Sequence, residues 1–249
     1  MRFNEFKQNL LEGVYDPGIF KAFFLAGGAG SGKSYSAEKA TGSAAGKFEW
    51  HPSMDTNKMK PGKTGPYGLK VVNSDEQLEF GLMKAKMHSD MTKYSDDETM
   101  EKERIRKKGK KITKKREQLW INGRLGLIID GTAKNPLKLS VTKQDLEAVG
   151  YSTYMIFVNT SLDVALQRNA ERGRSVPEKT VVELWNNVQR NLGLFSQTFQ
   201  RNLVIVDNND ATDDVFVKYW KQVSRLLRRK VTNSIATKWI SMELAKKKR

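Results

Sequence analysis

The stretch Gly27-Gly28-Ala29-Gly30-Ser31-Gly32-Lys33-Ser34 decides the fold. It matches the pattern G-x-x-x-x-G-K-[ST] and follows Ile19–Ala26, an apolar run typical of a buried strand. Glycines let the backbone curl until successive N–H groups point at phosphate oxygens, and a helix that starts there adds partial positive charge. The stretch therefore predicts a phosphate-binding loop (P-loop) between a first strand and a first helix.

The side chains of the P-loop have separate predicted roles. Lys33 is expected to reach the β- and γ-phosphates of ATP, and Ser34 to offer its hydroxyl to Mg²⁺. Because no Asn-Lys-x-Asp motif follows the fourth strand, a guanine nucleotide is disfavoured, and the predicted cofactors are ATP and Mg²⁺. The predicted nucleotide-binding residues here are Gly27, Gly28, Ala29, Gly30, Ser31, Gly32, Lys33, Ser34 and Tyr35.

Apolar runs that alternate with helical patterns predict the rest of the fold. The further predicted strands are Leu69–Val72, Leu125–Asp130, Tyr151–Asn159 and Leu203–Asp207. Nearly all-apolar strands indicate a parallel sheet covered on both faces. We expect an α/β P-loop NTPase fold, a three-layer sandwich around a five-stranded parallel sheet, with a basic helical insert and a C-terminal helical extension.

The predicted organisation has three parts. A helix at 1–18 precedes a P-loop kinase domain at 19–210, and a basic helical extension follows at 211–249. Within the domain we expect a loop insert at 41–68, a basic helical insert at 96–120, a lid at 168–177 and one long helix at about 178–199. A helix from about residue 76 is expected to carry methionines 83, 87 and 91 as core filling.

Two aspartates are predicted to work beside the P-loop. Asp130 ends the third strand, where a carboxylate can hold magnesium or its water, although it could also merely start a turn. Asp75 follows the second strand, whose tip faces the γ-phosphate, so it can accept the proton of an attacking hydroxyl. The alternative for Asp75 is a helix N-cap. Glu76 and Asn73 are the fallback candidates for this base.

Three arginines mark the predicted lid. Arg168 and Arg172 share a helix face, and Arg174 follows where the helix ends. Guanidinium groups can spread over the charge that develops on a transferred phosphoryl group. All three are therefore candidate catalytic residues, together with Lys33 and Asp75. The alternative is that they are surface arginines near a helix C-terminus.

Four segments carry a resemblance to a known family: GGAGSGKS, NSDE, IIDGT and RNAERGRSVP. Together they resemble the P-loop kinases of the polynucleotide 5′-kinase and zeta-toxin type, including small bacteriophage-encoded kinase-like proteins. The similarity runs from about Phe20 to Asp210. It implies phosphorylation of a hydroxyl with Asp75 as base and Arg172 in the lid, and it implies that Asn208 belongs to the adenine pocket. We expect no counterpart of the 3′-phosphatase half of some polynucleotide kinases, because no Asp-x-Asp motif lies on a predicted strand.

The charge of the chain is concentrated in two blocks. The chain has 44 Lys and Arg against 28 Asp and Glu, a net charge of +16. Residues 102–116 and 218–249 account for all of the excess positive charge, and each block contains a single acidic residue. Two basic segments on a nearly neutral body are typical of a protein that meets a polyanion, although solvated helix faces carry such charge too. We expect nucleic acid, DNA in particular, as the partner of both blocks.

The composition excludes several kinds of site. Without cysteine there is no disulfide, thiolate zinc site or thiol nucleophile. His51 and His88 have no partners at metal-ligand spacing. The apolar runs are too short to span a bilayer, and the first residues lack a signal peptide's apolar core. We expect no membrane segment and a cytoplasmic location, in a bacterial host cell if the chain is phage-encoded.

The leading functional hypothesis is an ATP-dependent kinase that phosphorylates a hydroxyl on nucleic acid. The acceptor would be a 5′-OH end or a hydroxymethylated base such as 5-hydroxymethyluracil in DNA, with Trp50 placed to stack on a base. The first alternative is a small-molecule kinase of zeta-toxin or nucleotide-kinase type, acting on a nucleotide sugar, nucleoside or nucleoside monophosphate. The second is a non-enzymatic nucleotide- and DNA-binding phage protein.

Overall fold

The structure, a computed structural model, describes residues 14–49, 58–88, 90–131, 133, 135–171, 176–210 and 213–247. Trp50, Arg172 and Arg174 lie outside these residues. The helix predicted at 1–18 falls mostly outside them as well, and its described end, residues 14–18, forms turns that lead into the first strand.

Strands and helices alternate along the chain. The strands are β1 (Lys21–Ala26), β2 (Lys47–Glu49), β3 (Lys58–Lys60), β4 (Lys70–Val72), β5 (Leu127–Asp130), β6 (Ser152–Asn159) and β7 (Leu203–Asp207). The helices are α1 (Lys33–Thr41), α2 (Asp75–Lys84), α3 (Asp96–Asn122), α4 (Pro136–Ala148), α5 (Leu162–Ala170), α6 (Glu178–Arg190), α7 (Leu192–Phe199), α8 (Asp213–Arg228) and α9 (Ser234–Lys247).

The predicted five-stranded parallel sheet is confirmed, in the order β4-β5-β1-β6-β7. Strand β1 lies at its centre, and all six of its residues are buried, as expected of a strand covered on both faces. Its side chains alternate, so that Phe23 and Leu25 pack on one face while Ala22 and Phe24 pack on the other. Because the strands are parallel, the carboxyl ends of all five meet at one edge of the sheet.

Each face of the sheet buries its own layer of helices. One face packs against α1 and α8, through Ala37 and Ala40 of the first helix and Val223 and Leu227 of the second. The other face packs against α4, α6, α7 and α9. This is the predicted three-layer α/β arrangement, and it leaves the loops at the carboxyl edge free to form a site.

The insert at 41–68, predicted to be a loop, contains regular structure. Strands β2 and β3 pair in antiparallel fashion, and a further bridge joins Ala44 to Lys63. Gly46 and Gly62 lie so close that a Cβ on either would come within 3.1 Å of the other's backbone nitrogen. The sequence pattern misses this ribbon because each arm is only three residues long and the pairing depends on the close approach of the two arms.

The C-terminal segment, predicted to be an extension from residue 211, is part of the core. Tyr219, Val223 and Leu226 of α8 are buried against the sheet. The buried Nζ of Lys21 at the start of β1 donates hydrogen bonds to the carbonyl oxygens of Pro17 and Leu227, so the end of α8 is bound to the central strand. The high content of basic residues in α8 obscured its amphipathic pattern in the sequence.

Three helix predictions need correction. The single helix expected at 178–199 is divided at Asn191 into α6 and α7. Helix α2 ends at Lys84, since Lys86 adopts a positive φ of 55° and the Met87 N–H donates to the Leu82 carbonyl oxygen. Methionines 87 and 91 therefore lie beyond the helix, although both are buried beside it. Helix α4, capped by the Asn135 side chain, was not predicted.

In the described part of the chain, no helix has the combination of length and apolar character that crossing a membrane requires.

Replacing a buried residue of α8 tests whether this helix belongs to the core. Leu226→Ala should lower the free energy of unfolding by about 2 to 5 kcal/mol, because it leaves a cavity under the sheet. Val217→Ala on the exposed side of the same helix should change it by less than about 0.5 kcal/mol. Urea unfolding followed by circular dichroism measures both, and equal small effects would mean that α8 does not support the core.

Candidate functional site

The P-loop runs from the end of β1 to the start of α1 at Lys33. Gly30 and Gly32 have φ angles of 78° and 80°, a region that residues with a Cβ rarely adopt. Lys33 folds back over the loop and donates from Nζ to the Gly28 carbonyl oxygen at 3.0 Å. The backbone therefore has the curled form that directs N–H groups at an anion, with a lysine ammonium beside it.

Neighbouring elements pack tightly against this loop. A Cβ on Gly30 would collide with the carbonyl oxygen of Ala165 in α5, and one on Gly28 would lie 3.3 Å from the Trp185 Cα in α6. The side chain of Asn208, only 3% exposed, donates from Nδ2 to the Ser31 carbonyl oxygen at 2.8 Å. Asn208 was predicted to bind the adenine; the structure instead places its amide under the P-loop as a support.

Asp130 and Ser34 meet as predicted at the carboxyl edge of the sheet. The Ser34 hydroxyl donates to Asp130 Oδ2 at 3.1 Å, and Asn73 Nδ2 donates to the same oxygen at 2.8 Å. Among the described residues no group of three or more His, Cys, Asp and Glu side chains could hold a metal. A hydroxyl and one carboxylate beside a phosphate-binding loop fit Mg²⁺, which usually keeps waters and binds substrate phosphates.

The charge state of Asp130 reflects its surroundings. Burial raises the pKa of the Asp130 carboxyl above its ordinary value, and the neighbouring carboxylate of Asp75 raises it further. The Lys33 ammonium and the two hydrogen bonds from Ser34 and Asn73 lower this pKa, but burial has the larger effect. A cation bound at Asp130 would favour the ionised carboxylate, so the site is suited to receiving positive charge.

Asp75 is the first residue of α2, one step beyond the helix N-cap at Ser74. The Asp75 side chain is exposed, and its backbone N–H donates to Asn73 Oδ1 at 2.7 Å. Asn73 thus accepts the first N–H of α2, and Asp75 is not the N-cap that the alternative assigned to it; its role as a base stays a prediction. Glu76 is a fallback candidate for the base. Its carboxylate lies 3.6 Å from the Arg116 guanidinium and packs against Gly46, so it is not open to an acceptor.

The described part of the predicted lid holds other loops in place. Arg168, predicted to stabilise charge on the transferred phosphoryl group, donates from its two terminal nitrogens to the carbonyl oxygens of Asn208 and Asn209 at 2.7 and 3.1 Å. Asn169 exchanges hydrogen bonds with the backbone of Val176. Arg168 is therefore a support of the β7 turn in this structure. The spacing of the arginines could not reveal carbonyl partners that lie about forty residues away.

Polar residues at the end of β6 also shape the site, and they were not among the predicted site residues. Trp185 donates from Nε1 to the Thr160 carbonyl oxygen at 2.7 Å, and Gln189 donates to Asn159 Oδ1 at 2.7 Å. These bonds hold α6 against the P-loop. The sequence does contain an indication of these residues. The apolar strand is followed by Asn159-Thr160-Ser161, and polar residues at the carboxyl end of a parallel strand commonly belong to a binding site.

Comparison with known proteins adds a family. The zeta toxin family model matches residues 85–217, just over half of the chain. A gluconokinase from Sinorhizobium meliloti 1021 is a structural match with 14% identity, a TM-score of 0.44 and coverage of 84% of this chain and 94% of that chain. A structure from the PezAT chromosomal toxin-antitoxin system of Streptococcus pneumoniae has 14% identity, a TM-score of 0.47 and coverage of 91% and 98%. No curated protein sequence matches the chain.

Replacing Asp130 tests the raised pKa. A carboxyl whose pKa is higher in the folded protein lowers stability above that pKa, and the effect vanishes below about pH 4, where the unfolded chain is protonated too. Asp130→Asn should therefore raise the melting temperature of the ligand-free protein at neutral pH by about 2 to 4 °C, with the gain shrinking toward acid. Thermal melts across this pH range measure it, with exposed Asp145→Asn as the control. A lower melting temperature at neutral pH would contradict the assignment.

Proposed function

This chain belongs to the zeta toxin family, and from that membership and the geometry of its site we propose that it transfers the γ-phosphate of ATP to a hydroxyl group on a nucleic acid. Family and P-loop together identify an ATP-dependent kinase. The acceptor is the proposed part: a 5′-OH end or a hydroxymethylated base of DNA. The observation that carries it is the course of the basic helix α3 past the candidate base.

Each side chain at the site has a separate proposed role in phosphoryl transfer. The hydroxyl oxygen of the acceptor attacks the γ-phosphorus, the bond to the β–γ bridging oxygen breaks, and ADP leaves. Asp75 takes the proton of the attacking hydroxyl, while Lys33 and the P-loop backbone hold the phosphates. Ser34 and Asp130 would hold Mg²⁺, which neutralises charge that builds up on the phosphate oxygens.

Helix α3 lies directly along α2, the helix that begins with Asp75. A Cβ on Gly81 would collide with Ile105, and one on Gly109 would lie 3.0 Å from the Cβ of Gln77. At the far end of this contact Arg116 pairs with Glu76, the residue after the candidate base. Residues 105–116 of the basic block therefore run beside the acceptor side of the site.

The basic side chains of α3 are available to an anion. Six lysines of the block are exposed, and no ion pair joins them to any residue in the described part of the chain: Lys107, Lys108, Lys110, Lys111, Lys114 and Lys115. Counterions around the phosphates of a polyanion are released when such lysines bind it, which favours binding. A small acceptor would touch few of these charges, whereas a strand extending from the site would touch several.

The described part of the second basic block is divided between α8 and α9, and α9 lies at the other end of the sheet. In α9, Trp239 packs edge-on against Phe20 at 5.5 Å between ring centroids, and Lys247 lies 4.6 Å from the ring centroid of Tyr15. Both aromatic partners precede β1, so they lie at the amino ends of the strands, opposite the P-loop. We therefore propose that α3 holds the acceptor strand and that the C-terminal block contacts nucleic acid only outside the site.

A small-molecule kinase is the second candidate, and the family match favours it. The matched residues include Asp130, and the resemblance to zeta toxins implies a nucleotide sugar or nucleotide acceptor as readily as a polymer. The basic helix does not require a polymer if it binds the phosphates of such a nucleotide.

Labelled ATP tests these acceptors directly. We expect label in 5′-OH oligonucleotides or in hydroxymethyluracil DNA, and little in UDP-N-acetylglucosamine or deoxynucleoside monophosphates. Asp75→Asn should reduce transfer by at least about 100-fold with unchanged ATP affinity, since it removes the proton acceptor alone. Glu76→Gln is the matched control and should retain transfer. Labelling only of small molecules would favour the second candidate, and ATP binding without turnover would contradict both.

Charge-neutral variants test the role of α3. Lys→Gln at residues 107, 108, 110 and 111 should weaken the binding of a single-stranded oligonucleotide and flatten its salt dependence, by roughly 0.7 in log–log slope for each phosphate that is no longer neutralised. Glutamine at four exposed basic residues of the other block forms the matched control: Arg225, Arg228, Lys230 and Lys238. Anisotropy titrations at several salt concentrations measure both sets. Steady-state kinetics give the KM of the acceptor for both sets, and an equal rise of this KM in the two sets would contradict the separation of the blocks.

A further inference from the structure

Asn73 bridges the two carboxylate-bearing residues of the site through its side-chain amide. Its Nδ2 donates to Asp130 Oδ2 at 2.8 Å, and its Oδ1 accepts the backbone N–H of Asp75 at 2.7 Å. Both bonds fit the same orientation of the Asn73 amide, because its donor end faces a carboxylate and its acceptor end faces an N–H.

This amide completes a chain of hydrogen bonds across four elements. The Ser34 hydroxyl of α1 and the Asn73 amide after β4 converge on one oxygen of Asp130 at the end of β5. From Asn73 the chain continues to the first N–H of α2 at Asp75. The phosphate side and the acceptor side of the site are thus joined by one side chain.

We propose that Asn73 is a positioning residue that sets the orientation of Asp130 relative to Asp75, an inference that rests on the kinase function proposed above. Asparagine suits this place because it is neutral and offers both a donor and an acceptor. An aspartate would keep the acceptor for Asp75 but would face Asp130 with a second negative charge and no donor. A serine would be too short to span both partners.

The expected consequence is a reduced turnover with little change in nucleotide binding. Lys33 and the P-loop backbone hold the triphosphate without help from Asn73, so the KM for ATP should change less than about threefold. Misalignment of the carboxylates should lower kcat by about 10- to 100-fold, the usual effect of removing a hydrogen bond behind a ligand.

The experiment compares Asn73→Ala, Asn73→Asp and a control, Asn122→Ala, at an exposed position at the end of α3. Steady-state kinetics give kcat and the KM for ATP. Electron paramagnetic resonance of Mn²⁺ with a non-hydrolysable ATP analogue gives the metal affinity without turnover, and thermal melts report folding. Asn73→Ala should weaken Mn²⁺ binding about tenfold. Asn73→Asp, nearly identical in shape, should keep the fold and lower kcat, and the second negative charge beside Asp130 should lower the melting temperature modestly.

Several outcomes would overturn the proposal. Unchanged Mn²⁺ affinity in Asn73→Ala, or full kcat in Asn73→Asp, would remove the positioning role. An effect confined to the KM for ATP would indicate support of the P-loop instead. If the wild-type protein phosphorylates no nucleic acid, the proposed acceptor fails, while the Mn²⁺ measurement still decides the role of Asn73.

Discussion

The conformation of the backbone between Gly27 and Gly32 is the constraint on which the site depends. Positive φ angles at Gly30 and Gly32 turn the chain from the central strand into α1, and they leave no room for side chains. The carbonyl of Ala165 and the amide of Asn208 fill the space that a Cβ would need. The loop is therefore held from outside as well as by its own glycines, and α5 and the β7 turn must lie where they do.

Parallel pairing brings the remaining groups to this loop. In the register of β1 and β5, Asp130 lies opposite Leu25, just before the P-loop begins. Strand β4 pairs with the other side of β5, so the residues that follow it, Asn73 and Asp75, emerge beside Asp130. Burial and the nearby Asp75 carboxylate raise the pKa of the Asp130 carboxyl. A bound cation would offset this effect and favour the ionised carboxylate.

The fold determines where the two basic blocks lie relative to the site. Two basic blocks of similar size suggest one polyanion-binding surface, yet α3 runs beside the site while α9 covers the amino ends of the strands. Helix α8 combines both properties, since its basic residues face solvent while Tyr219 and Val223 are buried against the sheet. Net charge predicts the kind of partner, and packing decides which charges a partner at the site can reach.

The sequence alone determined the P-loop, the five strands and the meeting of Ser34 with Asp130, because these follow from local patterns: glycine spacing, apolar runs and polar residues at strand ends. The tertiary structure decided the partners of Arg168, Asn208 and Asn73, and the inclusion of α8 in the core. Each of these depends on groups brought together from distant parts of the chain. Every residue carries the same backbone carbonyl, so the residue type does not indicate which carbonyl will accept a hydrogen bond. Only the packing of the folded chain identifies it.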